Sequence, residues 1–307
     1  MDLSSPRRTV LAVPGSSARF IDKSRQLPVD AVFLDLEDAV APDAKVAARD
    51  KVLAALRDQR GWQAPAVTLR VNDWSSPWTI GDLMTVVAGA GDRLDAIVLP
   101  KVTDPSQVQA IDLVLTQIER GAGWPLGRIG IEAQIEDAQG LAMVNQIAAA
   151  SQRLVSLVFG PGDFMASLGM GSLSVGSQPS GYPADAFHYP LMAILVAARA
   201  HGLAAIDGPF VGIRDAAGFQ ASAAKAAALG FDGKWVLHPD QIAAGNQAFT
   251  PPSDQLARAQ RIVTAYQAAS AQSGGAVGAI EVDQEMVDEA GVKLAQALLA
   301  RSSVLGQ

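Results

Sequence analysis

The chain has 307 residues, of which 49% are hydrophobic and 18% are charged, and its mean hydropathy is +0.19. This composition is typical of a globular protein with a large core and excludes a disordered or fibrous chain. The net charge is −7, and no basic stretch is long enough to follow a nucleic-acid backbone, so we expect no nucleic-acid partner. The sequence contains no cysteine, so a metal would be held by oxygen atoms or by the three histidines, which favours a hard ion such as Mg²⁺.

The sequence also lacks the patterns that direct a chain to a membrane. No run of 18 apolar residues occurs, and the first residues, MDLSSPRRTV, lack the apolar segment of a signal peptide. We therefore expect no membrane span and a cytoplasmic location.

Eight short apolar runs recur along the chain, and Ala-rich segments with helical spacing separate them. The runs lie at residues 9–13, 31–36, 66–71, 96–100, 129–135, 154–160, 204–207 and 235–238, with helices predicted at 45–57, 141–150, 191–201 and 220–229. Eight strand–helix units over about 250 residues are the number and size of an α/β fold of the (β/α)₈ TIM-barrel type. An open, doubly wound sheet is the alternative.

Two connections break this repeat. Residues 169–190 form a long Gly-, Ser- and Pro-rich loop, which we expect to cover the site or to bind substrate, unless it is a plain exposed insertion. After a helix at 254–271, residues 272–278 resemble a linker, followed by a short strand at 279–282 and a last helix from about 284 to 302. We therefore divide the chain into a barrel domain, 1–271, and a linker with a small C-terminal cap, 272–307.

Polar side chains are predicted at the C-terminal ends of the strands, the face on which barrel enzymes bind their ligands. The run at 154–160 stops at Gly-Pro-Gly just before Asp163, and the run at 129–135 is followed by Glu136. Two carboxylates on one face repel by about 4 kcal/mol at an effective dielectric near 20, so they share a proton or hold a cation. We favour the cation. The other residues at such positions are Asp35, Glu37, Arg70, Asn72, Lys101, Asp207 and His238.

Arg70 and the pair Arg19 and Lys23 are candidate anion-binding groups. A half-buried guanidinium at the end of a strand needs an anion, so Arg70 either pairs with nearby acids as a strut or clamps a substrate oxygen, or does both. Arg19 and Lys23 lie four residues apart on one helical face, which suits a phosphate, although two solvated surface cations are the simpler explanation. His188 and His201 are interpreted as structural.

Several ordered motifs resemble the citrate lyase beta-subunit-like family of CoA-ester lyases, within the HpcH/HpaI aldolase superfamily. They are RRTVLAVPGSSARF, AVFLDLEDAVAPDAK, LRVN, AIVLPKV, IGIEAQIEDAQG, LVFGPGDFMASLGM, AIDGPF and GKWVLHPDQI, and the resemblance extends from residue 8 to residue 266. AIDGPF, GKWVLHP and the extra C-terminal segment most resemble the L-malyl-CoA/β-methylmalyl-CoA lyases. In two places the chain departs from the usual pattern: IEDAQG replaces IETARG, and the cap strand is more acidic.

The resemblance implies a barrel with a C-terminal cap, assembled as a homotrimer or a dimer of trimers. Glu136 and Asp163 would be the protein ligands of Mg²⁺, with Mn²⁺ possible, and CoA would enter as part of the substrate. Arg70, with backbone N–H groups near Gly162 and Asp163, would bind substrate oxygens. Arg19 and Lys23 would lie near the CoA phosphates, and Asp288 would act in a neighbouring subunit as the acid/base.

The implied reaction joins or splits a carbon–carbon bond in a 3-hydroxyacyl-CoA such as L-malyl-CoA or β-methylmalyl-CoA. The products are the 2-oxo acid glyoxylate and acetyl-CoA or propionyl-CoA. Alternatives on the same scaffold are a citramalyl-CoA or citryl-CoA lyase and a malyl-CoA thioesterase. A non-enzymatic binding protein and an aldolase that acts without CoA are further alternatives.

Overall fold

The computed structural model describes residues 6–274 and 277–304. Eight parallel strands form a closed barrel in sequence order, and the first strand also pairs with the eighth. The closed barrel confirms the predicted (β/α)₈ fold. The strands are β1 Thr9–Pro14, β2 Ala31–Asp35, β3 Ala66–Arg70, β4 Ala96–Leu99, β5 Gly130–Ile135, β6 Leu154–Phe159, β7 Ala204–Asp207 and β8 Gly233–Val236.

Helices connect successive strands, several of them in short pieces. They are α1 Ala18–Ser24, α2 Lys45–Arg57, α3 Thr79–Asp82, α4 Ala88–Ala90, α5 Pro105–Ala122, α6 Ala138–Ala142, α7 Val144–Ala148, α8 Pro161–Ser167, α9 His188–Ala200, α10 Ala216–Leu229 and α11 Ile242–Ala248. A π-helical stretch at Leu83–Val87 joins α3 to α4, and 3₁₀ turns lie at Pro42–Ala44, Gly91–Arg93 and Pro239–Gln241.

The alternation of side chains along each strand builds two hydrophobic layers, one inside the barrel and one beneath the helices. Phe33 and Trp235 pack against each other inside the barrel, with ring centroids 4.3 Å apart, while residues such as Leu34 and Val236 face the outer helices. Both layers are needed because a barrel strand is covered on both sides.

The predicted strand bounds agree with the structure to within one residue for β1 to β7. For β8 the prediction is wrong by two residues, because the strand begins at Gly233 and ends at Val236. The predicted run began at Trp235 and left out Lys234, whose ammonium group is buried in an ion pair with Asp207. His238 therefore lies beyond the strand, as the N-cap of the following 3₁₀ turn. The predicted helix at 141–150 is divided between α6 and α7.

The described residues from 250 to 304 form a second compact unit. It contains α12 Ser253–Gln272, a hairpin of β9 Ala279–Val282 and β10 Glu285–Asp288, and α13 Glu289–Val304. Its core joins α12 to the later elements, so this helix groups with the C-terminal segment, whereas the predicted boundary at 271/272 placed it with the barrel. Residues 275 and 276 of the predicted linker lie outside the described residues.

The predicted last helix, from about residue 284, is wrong at its start. Asp283 and Gln284 have φ angles of +52° and +66°, which make the two-residue turn of the hairpin, and β10 follows. Within the described parts of both units, no helix combines the length and the apolar character that crossing a bilayer requires.

Candidate active site

Glu136 is a buried carboxylate at the mouth of the barrel, directly after β5, with 2% of its surface exposed. Its Oε1 accepts the backbone N–H of Lys101 at 2.6 Å, and its Oε2 accepts Nε2–H of Gln134 at 2.5 Å. Burial raises the pKa of Glu136 well above the ordinary value; Arg70 opposes this shift, and the nearby charges of Glu37 and Asp163 add to it. A carboxylate in this position requires either a proton or a cation.

Asp163 is the third residue of α8, whose first residue is Pro161. Its charge contributes to the raised pKa values of both Glu136 and Lys101, so the structure brings the two predicted metal ligands within electrostatic reach of each other. Between them, Gly160 is required for space, because a Cβ there would lie 2.4 Å from Oε2 of Glu136.

The donor chemistry of this pair fits a hard divalent ion. Among the residues described by the structure, no three or more His, Cys, Asp or Glu side chains cluster as a metal site. Mg²⁺ does not need such a cluster, because it is commonly bound through one or two carboxylates and keeps several of its waters. Glu136 and Asp163 could supply two such carboxylates.

Arg70 ends β3 and pairs with acids at and just after the end of the neighbouring strand β2. Its Nε and Nη2 donate to the two carboxylate oxygens of Asp35 at 2.8 and 2.7 Å, and Nη1 lies 2.9 Å from Glu37. The prediction of a half-buried guanidinium is wrong, since only 6% of Arg70 is exposed. Burial acts against its charge, but the acids outweigh burial and raise the pKa of Arg70. The strut function of Arg70 is therefore present.

Lys101 lies between the acids of the β2 loop and Glu136. Its Nζ forms an ion pair with Glu37 and lies 3.4 Å from Asp38. Burial acts to lower the pKa of Lys101, but the pairing with Glu37 and the charges of Asp38 and Asp163 raise it. The residue has a φ of +52°, an uncommon backbone conformation for a side chain of this size, and this conformation accompanies the N–H contact with Glu136.

Other residues predicted at the strand ends have structural partners. Asn72 donates to Asp82 from its backbone and its side chain, at 2.8 and 2.7 Å. Asp207 forms its ion pair with Lys234 at 2.5 Å. Nδ1 of His238 accepts the N–H of Asp240 at 3.3 Å.

Of the two remaining histidines, His188 is the exposed first residue of α9, and His201 lies 3.2 Å from Asn145.

Arg19 and Lys23 lie on α1, and both side chains are exposed. Lys23 lines a cavity of about 230 Å³ at the ends of β1 and β8, where apolar walls come from Phe20, Leu27 and Leu237. A cation beside an apolar recess suits a ligand that carries both an anionic and an apolar group.

The long loop after α8 folds back on that helix. The N–H of Gly176 lies 3.2 Å from Sδ of Met165, and Asp185 is held by Gln178 at 2.7 Å and by Lys225 at 2.6 Å. The loop therefore lies against the helix that carries Asp163.

Asp288, in the second compact unit, is the last residue of β10. It is exposed, and its Oδ1 accepts the N–H of Gly291 at 3.0 Å, so that it caps the first turn of α13.

Gln134 is a functional candidate that was not predicted from the sequence. The signal was present in the alternation of β5, where Glu132, Gln134 and Glu136 occupy every second position and so share one face of the strand.

Known proteins resemble this chain over most of its length. Residues 8–239 match the family model described as HpcH/HpaI aldolase/citrate lyase. The chain is 37% identical to the L-malyl-CoA/beta-methylmalyl-CoA lyase of Cereibacter sphaeroides, over 98% of this chain and 96% of that protein. It is 32% identical to the citrate lyase subunit beta of Escherichia coli, over 98% and 94% of the two chains.

A solved structure of CitE from Mycobacterium tuberculosis, in complex with magnesium, acetoacetate and coenzyme A, is also similar. The TM-score is 0.75 with 29% identity, and the match covers 98% of this chain and 99% of that one. The family match, the two relatives and the shared fold together show that the chain belongs to the HpcH/HpaI aldolase/citrate lyase family.

Proposed function

We propose that this chain is a Mg²⁺-dependent carbon–carbon lyase that acts on CoA thioesters. Its substrate would be L-malyl-CoA or β-methylmalyl-CoA, split into glyoxylate and acetyl-CoA or propionyl-CoA, or formed from them by condensation. The observation that carries the proposal is the buried carboxylate of Glu136 with Asp163 close by, at the ligand-binding end of a closed barrel. The resemblance to lyases of this substrate class supports the choice of reaction.

Glu136 and Asp163 would hold the ion, with Mn²⁺ as a possible substitute. When bound, Mg²⁺ supplies a Lewis acid that lowers the pKa of the substrate hydroxyl and neutralises the adjacent carboxylate. Lys101 supports this arrangement through its backbone, since its N–H fixes one oxygen of Glu136. The Lys101 ammonium group pairs with Glu37 and Asp38. Its positive charge therefore lies at the mouth of the barrel, but it does not form an ion pair with Glu136.

Arg70 and the first turn of α8 would hold the substrate oxygens. Asp35 and Glu37 orient the guanidinium through three contacts. Because Arg has five N–H donors, some of them remain available to bind substrate oxygens. The N–H groups of Gly162 and Asp163 lie in a first helical turn, where no intrahelical acceptor is available. These donors would stabilise charge that develops on oxygen during bond cleavage.

The bond changes are those of a retro-Claisen cleavage. The hydroxyl gives its proton to solvent and becomes the carbonyl of glyoxylate, the carbon–carbon bond breaks, and its electron pair passes into the thioester enolate, which takes up one proton in return. Asp288 from a neighbouring subunit would then protonate the enolate carbon, and in the condensation direction it would remove that proton. This assignment implies a homo-oligomer, a trimer or a dimer of trimers, which the proposal includes together with a cytoplasmic location.

Arg19 and Lys23 would contact the phosphates of CoA. Both cations are exposed, and the cavity beside Lys23 offers an apolar surface next to the charge. An exposed pair of this kind contributes to the affinity for CoA and leaves the chemistry unchanged, so its loss would raise KM more than it lowers kcat.

Product analysis tests the proposal. L-malyl-CoA, β-methylmalyl-CoA, citramalyl-CoA and citryl-CoA would each be incubated with the protein and Mg²⁺, and the released oxo acid and thioester measured. We expect glyoxylate with acetyl-CoA from L-malyl-CoA as the fastest reaction. Preferential release of pyruvate or oxaloacetate would instead identify a citramalyl-CoA or citryl-CoA lyase. Malate with free CoA would identify a thioesterase.

A further inference from the structure

The inside of the barrel contains polar atoms that no protein group satisfies. Among the described residues, four buried side-chain atoms on the interior face lack a hydrogen-bond partner. Each of these side chains is at most 3% exposed. Buried polar atoms without partners are rare in folded proteins and usually mark an ordered water or a functional group. The four atoms are Thr68 Oγ1, Gln134 Oε1, Ser156 Oγ and Trp235 Nε1.

The strand register places two of these atoms in adjacent layers. Neighbouring strands of an eight-stranded barrel are staggered by about one residue, so side chains from alternate strands form layers of four. On this count Gln134 shares a layer with Ala12, Arg70 and Gly208, and Trp235 lies in the layer beneath with Phe33, Val98 and Val158. Ser156 belongs to a lower layer, at the opposite end of the barrel.

The contact with Glu136 fixes which way the amide of Gln134 points. Its Nε2 donates to Oε2 of Glu136. With an ion bound this carboxylate is ionised, and the flipped amide would then bring two acceptors together. Oε1 consequently faces away from Glu136 and needs a donor. The indole N–H of Trp235 is a donor that lacks an acceptor, so the two groups are complementary.

We propose that Gln134 is a positioning residue for Glu136, and that a buried water, which accepts from Trp235 Nε1 and donates to Gln134 Oε1, fixes its amide. The carboxylate of Glu136 is then held at one oxygen by Gln134, from the barrel interior, and at the other oxygen by the backbone N–H of Lys101. Gly160 belongs to the same arrangement, since a Cβ there would lie 2.9 Å from Nε2 of Gln134. The inference rests on the proposed metal site, and it adds a residue that would not itself contact metal or substrate.

The first test measures metal affinity without turnover. Mn²⁺ would be titrated into wild-type protein, Gln134→Met and Ser156→Ala by calorimetry. Met has a similar length but cannot hydrogen-bond, so we expect Mn²⁺ binding to weaken by about 10- to 100-fold, as for other groups that orient a metal ligand. Ser156→Ala removes an unpaired oxygen from the far end of the same interior and should bind Mn²⁺ as the wild type does.

The second test reads the water bridge directly. The indole N–H signal of Trp235, assigned with Trp235→Phe, should be shifted as for a hydrogen-bonded group, and it should move in Gln134→Met but stay in place in Ser156→Ala. A crystal structure of the wild type should show a water within hydrogen-bond distance of both atoms, a measurement that does not depend on any variant folding.

The outcomes separate this inference from the proposed function. If the wild type binds Mn²⁺ and Gln134→Met binds it equally well, the positioning role is wrong while the metal site stands. If the wild type binds no divalent ion, both fall. An unshifted Trp235 signal, or an interior without a water between the two atoms, rules out the bridge.

Discussion

Arg70 and Asp35 face each other as registered neighbours at the ends of β3 and β2, joined by two parallel hydrogen bonds of 2.8 and 2.7 Å. Glu37 binds the third guanidinium nitrogen, and all three side chains are buried. Removing one partner of a buried ion pair is strongly destabilising, because the other charge is then left buried without a partner. Asp35 therefore holds the Arg70 guanidinium in one orientation at the mouth of the barrel before substrate binds.

Replacement of Arg70 tests this relationship. Arg70→Ala leaves the buried carboxylate of Asp35 without its cation and Glu37 with Lys101 alone, so we expect a loss of about 3–5 kcal/mol in the free energy of unfolding. Urea denaturation would measure it. Arg19→Ala is the matched control, because that arginine is exposed and its loss should cost no more than about 0.5 kcal/mol. Equal stability of the two variants would show that Arg70 is not the strut of this site.

A single methyl group at Gly160 should disturb the site. In Gly160→Ala the new Cβ would lie 2.4 Å from Oε2 and 2.5 Å from Cβ of Glu136, so that side chain must move. We expect at least a tenfold loss of kcat/KM for L-malyl-CoA. Gly121→Ala in α5 is the control, since a Cβ at that position would have no other atom within 4 Å, and it should keep full activity. Normal turnover by Gly160→Ala would contradict the described position of Glu136.

Acid stability should depend on a buried network away from the site. Glu119 accepts from Arg153 at 2.8 and 2.6 Å, and from the backbone of Ile129 and Gly127 at 2.9 and 2.8 Å. Burial alone would raise the pKa of Glu119, but these donors outweigh it and hold the pKa below its ordinary 4.5.

Because the folded pKa of Glu119 is depressed, its stabilisation is present above pH 4.5 and is lost as the pH falls through the folded pKa. Glu119→Gln should therefore be less stable than wild type at pH 7, and the difference should shrink as the solution is acidified below pH 4.5. Thermal unfolding across this range measures both. The exposed Glu281→Gln should follow the wild type throughout, and parallel curves for Glu119→Gln and wild type would refute the assignment.

The acid/base assignment of Asp288 can be separated from its capping contact. Asn caps a helix as well as Asp, so Asp288→Asn should keep the hydrogen bond to Gly291 and the thermal stability while it loses the titrating group. We expect kcat for L-malyl-CoA to fall by about 10²- to 10⁴-fold. Turnover within a few-fold of wild type would leave Asp288 as a helix cap alone.

The barrel could be predicted from the sequence because each strand carries its own local signal. The apolar runs from β1 to β7 end within one residue of their predicted ends, and Glu136 and Asp163 follow β5 and β6 as expected. The start of β8 was missed because it contains Lys234. A lysine is expected to be exposed, and its burial is explained only by its ion pair with Asp207.

The rest depends on contacts between distant parts of the chain. Full burial of Arg70 follows from Asp35 and Glu37 lying on the adjacent strand end, which no local pattern reports. The positive φ of Lys101 accompanies a contact with a residue 35 positions away. Gln134 could have been predicted as an interior residue, since the alternation in β5 places it on the same face as Glu136. Its hydrogen-bond partners could not be predicted, because they depend on the closed barrel.

The central claim is that one divalent ion binds between the carboxylates of residues 136 and 163. A crystal structure of the protein grown with Mg²⁺ and glyoxylate measures this most directly. We expect the ion about 2.0–2.1 Å from an oxygen of Glu136 and from an oxygen of Asp163, with glyoxylate and water completing an octahedron. Magnesium bound elsewhere, or a glyoxylate that occupies the mouth with neither carboxylate in contact with an ion, would contradict the claim.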